Sequence, residues 1–207
     1  MTDVNLLLIL GAALVGAASP GPSTLAIAGT AMQQGRGPGL ALASGVITGS
    51  FIWSAAAAFG LGAVMLANAW AFELIRYFGA GYLMYLAIRS ARSALRSGTP
   101  APLSLKSSTL SAAYGKGLAL HLTNPKAVLF FGSLYSIGLP PGTAPGDLIT
   151  VILAVGIQSF LIFHGYALLF SNPTLTQGYL RLRRPFEALL AAAFATAGWH
   201  ILTARLT

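Results

Sequence analysis

The stretch Ser19-Pro20-Gly21-Pro22-Ser23 stands inside an apolar run, after LLLILGAALVGAA and before TLAIAGTAM. Two prolines and a glycine at that place forbid an unbroken helix. Proline lacks the N–H that would bond the preceding turn and its ring collides with that turn, while glycine adds backbone freedom. A second break of the same kind lies at Thr123-Asn124-Pro125-Lys126-Ala127, again among apolar residues. Pro20 and Pro125 are 105 residues apart in a chain of 207, so the breaks occupy equivalent places in its two halves.

Composition sets the solvent. Hydrophobic residues make up 56% of the chain and charged residues 8%, with a mean hydropathy of +0.74. Soluble domains carry roughly 25% charged residues, so the deficit points to an all-α polytopic membrane protein. The formal net charge of +8 does not imply nucleic acid, because the basic residues sit in short clusters between apolar runs. There is no cysteine, which excludes disulfides and thiolate metal sites. No metal-ligand spacing, nucleophile triad or phosphate loop is present, so neither cofactor, metal nor enzyme chemistry is expected. The first apolar run lacks a basic leader and resumes after the prolines, which reads as a retained first helix.

Six stretches are long enough to cross a hydrocarbon core: 4–34, 38–66, 69–90, 110–138, 148–171 and 186–204. They form one membrane domain of two three-helix halves, 1–95 and 110–207, joined by a linker at 96–109. Polar stretches at 139–147 and 171–185 mark the other long breaks, and Glu187 falls at the start of the sixth stretch, where an acid suits a helix N-terminus. Eight of the twelve basic residues lie on alternate connections: Arg36, then Arg89, Arg92, Arg96 and Lys106, then Arg181, Arg183 and Arg184. The excess of lysine and arginine on cytoplasmic loops puts these inside and both termini outside. Three spans per half invert the second half relative to the first. Paired interrupted helices in such inverted repeats mark a transporter's binding site.

The chemistry follows from helix ends. A break frees backbone N–H groups that cannot stay bare in lipid. Ser19 or Ser23 can serve the first break, and Asn124 suits an N-cap with Pro125 at the first helical position. The second half-helix at each break starts near mid-membrane with a partial positive charge, and together they suit a carboxylate. Ser19, Pro20, Gly21, Pro22, Ser23, Asn124, Pro125 and Lys126 are therefore the expected substrate-binding residues. Lys126 lies midway along its span, where an ionisable group is costly and points to function. Alternatively its ammonium donates to carbonyls freed by the break at Pro20. Ser50, His121, Gln158 and His164 are candidate proton or substrate contacts, with hydrogen-bonded packing as the plainer reading of the histidines. Gly45 and Gly49 form a small-xxx-small pair that suits close helix packing.

These residues together resemble the LysE/RhtB family of bacterial amino-acid exporters. The resemblance runs through SPGPSTLAIAGTAMQQGRGPGLALASG (19–45), FGLGAVM (59–65), FGAGYLMYLAIRSAR (78–92) and KGLALHLTNPKAVLFFGS (116–133). It implies an inner-membrane antiporter, driven by the proton gradient, that exports a small amino acid or related metabolite. Pro20, Gly21, Pro22, Asn124, Pro125 and Lys126 are the positions carried over by motif. Many relatives have asparagine where this chain has Ser23, and an acid where it has Ser50. Without that carboxylate a neutral zwitterion is the expected substrate rather than a basic amino acid. The bilayer, a small amino acid and protons are the expected partners, and assembly into a homo-oligomer stays open. Competing classes are a non-transporting structural or sensor protein, which has no need of paired broken helices, and an inorganic-ion transporter, which calls for several intramembrane acids.

Overall fold

The computed structural model describes residues 4–67, 69–96, 103, 105–140 and 142–203, with only the backbone described for 61–67, 69, 71–73, 75, 76, 137, 200 and 201. Every regular element among them is a helix. In chain order these are α1 (Leu6–Ala18), α2 (Pro22–Gln34), α3 (Arg36–Ala67), α4 (Ala69–Leu95), α5 (Leu110–Leu122), α6 (Pro125–Gly138), α7 (Pro145–Phe170) and α8 (Pro173–Thr203). α1 and α2 meet at a bend of 51°. Residues 97–102 and 104 of the expected linker, and both chain ends, lie outside the described residues.

Among the described residues, two helices are each long and apolar enough to cross a membrane, over Arg36–Gly60 and Pro145–Phe170, and the bent α1–α2 pair qualifies when taken together. α5 and α6 are too short singly, at 13 and 14 residues. α4 and α8 are interrupted by arginines along their length.

One expected break is helical instead. The stretch 171–185 enters α8 already at Pro173. Asn172 accepts from the N–H groups of Thr174 (2.9 Å) and Leu175 (3.3 Å), which caps the helix ahead of its first-turn proline. Pro185 lies inside α8 without ending it. Neighbouring arginines fasten this stretch to α4: Arg183 donates to the Arg96 carbonyl at 3.2 Å and Arg184 to the Ala94 carbonyl at 3.0 Å. Tertiary bonding thus overrides the local breaker. Glu187 consequently sits in the middle of α8 rather than at its start, and is 1% exposed.

α3 packs against α5 and α7, and α4 runs along α8. One apolar cluster joins α1, α3, α6 and α7 around Ile9, Leu134 and Tyr135, and a second joins α2, α3, α5 and α7 around Ile27, Leu42 and Val46. The α3–α5 crossing is a backbone contact. A side chain on Gly45 would strike the Tyr114 carbonyl and the Leu118 N–H, and one on Gly117 would strike the Leu42 carbonyl. Ahead of α5 the chain lies across α2, where Gln34 takes the Ser107 N–H at 2.9 Å and donates to the Leu105 carbonyl at 3.1 Å. On α7, Ile149, Leu153, Ile157, Phe160 and Leu161 form an exposed apolar stripe, as a lipid-facing helix requires.

Candidate functional site

The first break is built by two prolines acting on the residues before them. A residue that precedes proline is pushed out of the helical region. Ser19 (φ −72°, ψ 137°) and Gly21 (φ −162°, ψ 179°) are both extended. Pro22 then takes the first position of α2, where its missing N–H costs nothing. The sequence reading assigned the capping role to Ser19 or Ser23, and the structure gives it to Thr24. The Gly21 N–H donates to Thr24 Oγ1 at 2.8 Å, and the Thr24 hydroxyl donates to the Gly21 carbonyl at 3.1 Å. Ser19 is unsuited because it ends α1, where its hydroxyl donates to the Gly16 carbonyl at 3.0 Å. Ser23 is already inside α2.

The second break is shorter. Asn124 caps α6, its Oδ1 accepting the Lys126 N–H at 3.0 Å, and Pro125 occupies the first helical position. Fixing Oδ1 in this way aims the amide Nδ2 at Ser23 Oγ, 3.2 Å away on α2. Ser23 Oγ lies 2.9 Å from His121 Nδ1, and His121 Nε2 lies 3.0 Å from Ser50 Oγ on α3. A neutral His121 gives this chain a direction: Asn124 donates to Ser23, Ser23 to His121, and His121 to Ser50. All four residues are buried. Phe163 meets the imidazole edge-on, with centroids 6.1 Å apart.

Lys126 reaches across to the first break. Its ammonium donates to the Ser19 carbonyl at 2.9 Å and to the Ser19 hydroxyl. Tyr166 of α7 donates to the Ala18 carbonyl at 2.7 Å. The carbonyl end of α1 is thus satisfied by side chains from two other helices, as a broken helix end in lipid demands. Gly21 lets the lysine pass: a methyl group there would lie 3.1 Å from Lys126 Cδ and 3.2 Å from Nζ.

These groups face one cavity with about 480 Å³ of empty space, its open mouth included. Ser19, Gly21, Ser23, Ser50, His121, Asn124 and Lys126 line it. Thr24 and Ser159 also line it, and Phe130, Phe131, Val155 and Phe163 supply an apolar wall. Pro22 and Pro125 shape the backbone without lining the cavity, and Pro20 borders two neighbouring cavities. Gln158 and His164 lie apart from the site. Gln158 donates to the Leu10 carbonyl at 2.9 Å, and His164 meets Ser44 Oγ at 3.2 Å and packs at a tilt against Phe160. Thr24, Ser159 and Tyr166 are the residues that sequence reasoning missed as parts of the site. Ser159 and Tyr166 act across the fold, and only Thr24, three residues beyond Gly21, carried a local signal.

The site offers a cation, hydroxyls and the start of a helix. Both bonding partners described for the Lys126 ammonium are neutral, so no carboxylate bonds it directly. α2 begins on the same wall, and its first N–H groups lack intrahelical acceptors.

Known proteins share the plan. A family model described as LysE type translocator matches residues 14–205. A threonine efflux protein of Escherichia coli (strain K12) is 28% identical over 195 residues, covering 93% of this chain and 94% of that protein. A leucine efflux protein of Enterobacter sp. (strain 638) is 28% identical over 172 residues, covering 82% and 80%. An uncharacterized membrane protein of Pseudomonas aeruginosa is 33% identical over 159 residues, covering 72% and 74%. No solved structure matches significantly. With nearly the whole chain matched end to end, this protein belongs to the LysE type translocator family.

Proposed function

We propose that this chain exports a neutral α-amino acid across the bacterial inner membrane, in exchange for protons, through the cavity between the two breaks. The observation that carries the reading is the Lys126 ammonium, held at the meeting point of both breaks by neutral partners alone. A substrate carboxylate is the natural counter-charge. A hydrogen bond to a charged group is worth about 1.5–3 kcal/mol, and the start of α2 adds a smaller favourable field. Binding would exchange the Ser19 carbonyl for the carboxylate on the ammonium, so that occupancy is felt at the end of α1. The hydroxyls of Ser23, Ser50 and Ser159 suit polar groups of the substrate, and the aromatic wall suits a short aliphatic side chain. Among the described residues no acid lines the cavity, which favours neutral over basic side chains. The efflux relatives support the transport class.

In this reading the chain makes six crossings as two inverted halves, α1–α4 and α5–α8, with both termini outside. The two broken helix pairs, α1–α2 and α5–α6, stand at equivalent places in these halves and support it. Reporter fusions near residue 100 and at the C-terminus are expected to give opposite signals, and equal signals would refute the orientation. The function itself is tested by efflux of radiolabelled amino acids from cells that overproduce the chain. Saturable efflux of neutral amino acids is expected. A panel without saturable efflux of any amino acid, or with arginine clearly preferred, would overturn the proposal.

A further inference from the structure

The buried acid on α8 has no part in the site described above. Glu187 is 1% exposed, and its Oε1 accepts from the Ser93 hydroxyl of α4 at 2.9 Å. Arg183, one turn earlier and 4% exposed, lies 3.5 Å from the same Ser93 oxygen. Glu187 forms part of the wall of a second cavity, with about 1330 Å³ of empty space, which Arg89, Arg92 and Arg96 also line. Ser19 and Pro20 contribute to this wall too. Ser19 is therefore common to both cavities, and it is the residue that holds Lys126. Of the two acids whose side chains are described, Asp147 sits in the first turn of α7, so Glu187 is the buried one. Position 50, on the wall of the first cavity, holds a hydroxyl bonded to His121.

We propose that Glu187 is the carboxylate that carries the coupling proton, one serine away from the substrate site. This rests on the exporter reading. A buried acid on a polar cavity of a membrane protein is the usual form of a proton relay. The groups facing it are Arg183 and Tyr179 on its own helix, Arg89, Arg92 and Tyr85 on α4 and Arg96 just past its end, Tyr166 on α7, and Lys126 on α6 behind Ser19. α1 brings no titratable side chain to it. One proton arriving from the substrate cavity converts the carboxylate to the acid, and the same proton leaves through the arginine-lined cavity. Only an O–H bond forms and breaks, and no other reactant is needed. In the carboxylate state Glu187 balances Arg183. In the acid state Arg183 is left without that balance, so protonation changes the bonding between α8 and α4 beside the first break.

The test uses purified full-length protein in proteoliposomes with a labelled mixture of neutral amino acids. Exchange without a gradient and transport driven by an imposed pH difference are measured side by side. Glu187→Gln keeps a hydrogen-bond acceptor for Ser93 and cannot change charge. It is expected to exchange at the wild-type rate while its pH-driven transport falls by about a hundredfold. Glu187→Asp, which still titrates, is expected to retain pH-driven transport. Glu187→Gln transport that responds to the pH difference as wild type does would overturn the proposal. Loss of exchange and drive together, in protein of normal abundance, would also overturn it, because a structural clamp predicts that outcome. Wild-type exchange that ignores the pH difference would overturn it together with the proton exchange, while leaving amino-acid export intact, whereas wild-type protein that moves no amino acid would refute the exporter reading itself. If Glu187→Gln does not reach the membrane, Ser93→Ala decides. A displaced pH profile of driven transport is expected, and an unchanged profile would overturn the proposal.

Discussion

The two breaks solve the same problem with different residues. At both, a proline takes the first position of the second half-helix and the residue before it is extended. The first break spans three residues, bends the chain by 51° and is capped by Thr24 from within α2. The second spans two residues and is capped by Asn124 from outside α6. Asn124 uses its acceptor on α6 and its donor on Ser23, so the second break closes its own helix start and also ties into the first. The second break also supplies Lys126, and the first supplies the carbonyl that receives it. Matched backbone punctuation therefore yields an unequal pair: one break holds the charge, and the other presents the open helix start.

Removing the charge should distinguish the breaks most strongly. Under the proposed function, Lys126→Met would delete one charged hydrogen bond to substrate, about 1.5–3 kcal/mol, which is about a 10- to 150-fold loss of efflux. It also strips the Ser19 carbonyl of a donor while relieving the cost of a buried ammonium. The variant should reach the membrane at near-normal abundance, as measured by immunoblot beside efflux. A well-inserted, fully active Lys126→Met would remove the carboxylate site from consideration.

Removing the caps sharpens the contrast further. Asn124→Ala loses an N-cap worth about 1 kcal/mol, together with the only described donor to Ser23 from α6. Thr24→Ala loses a cap of similar worth without touching the chain to His121. The thermal midpoint in detergent should therefore fall more for Asn124→Ala than for Thr24→Ala. Equal shifts would show that the Asn124–Ser23–His121–Ser50 chain adds nothing to stability.

The smallest effect is expected at Gly21. Its extended backbone is open to alanine, and the new methyl group would sit 3.1–3.2 Å from the lysine side chain. Pushing Lys126 off its preferred rotamer costs about 0.5–1.5 kcal/mol, so half-saturation of efflux by Gly21→Ala should rise by about two- to tenfold. An effect as large as that of Lys126→Met would mean that Gly21 itself contacts the substrate.

What was legible in sequence were the features written in neighbouring residues. The SPGPS and TNPKA breaks, the Asn124 cap and the packing role of Gly45 need only local rules. The start of α8, where Asn172-Pro173 repeats the pattern of Asn124-Pro125, obeys the same local rule but was read as part of a break. There the later Pro185 and three arginines read as a loop, and the bonds of Arg183 and Arg184 to the Arg96 and Ala94 carbonyls hold a helix instead. The rest depended on distance along the chain. Ser23 meets His121 from 98 residues away, and Glu187 meets Ser93 from 94 residues away. No local pattern encodes such partners. Gln158 and His164 drew attention as polar residues in an apolar helix, yet each bonds to a neighbouring helix outside the cavity.

The glycine seam between α3 and α5 limits how this molecule can move. Where Gly45 meets the Tyr114 carbonyl and Gly117 meets the Leu42 carbonyl, backbone touches backbone. Side chains can swing aside to let helices slide, but carbonyl groups cannot. The two helices form a single stiff strut, and it carries Ser50 and His121 on one side of the substrate cavity. In the proposed exporter, alternating access would have to turn about this strut. The joints available are the two places where the helical ladder is already open, so the breaks proposed to bind the substrate would also serve as its hinges.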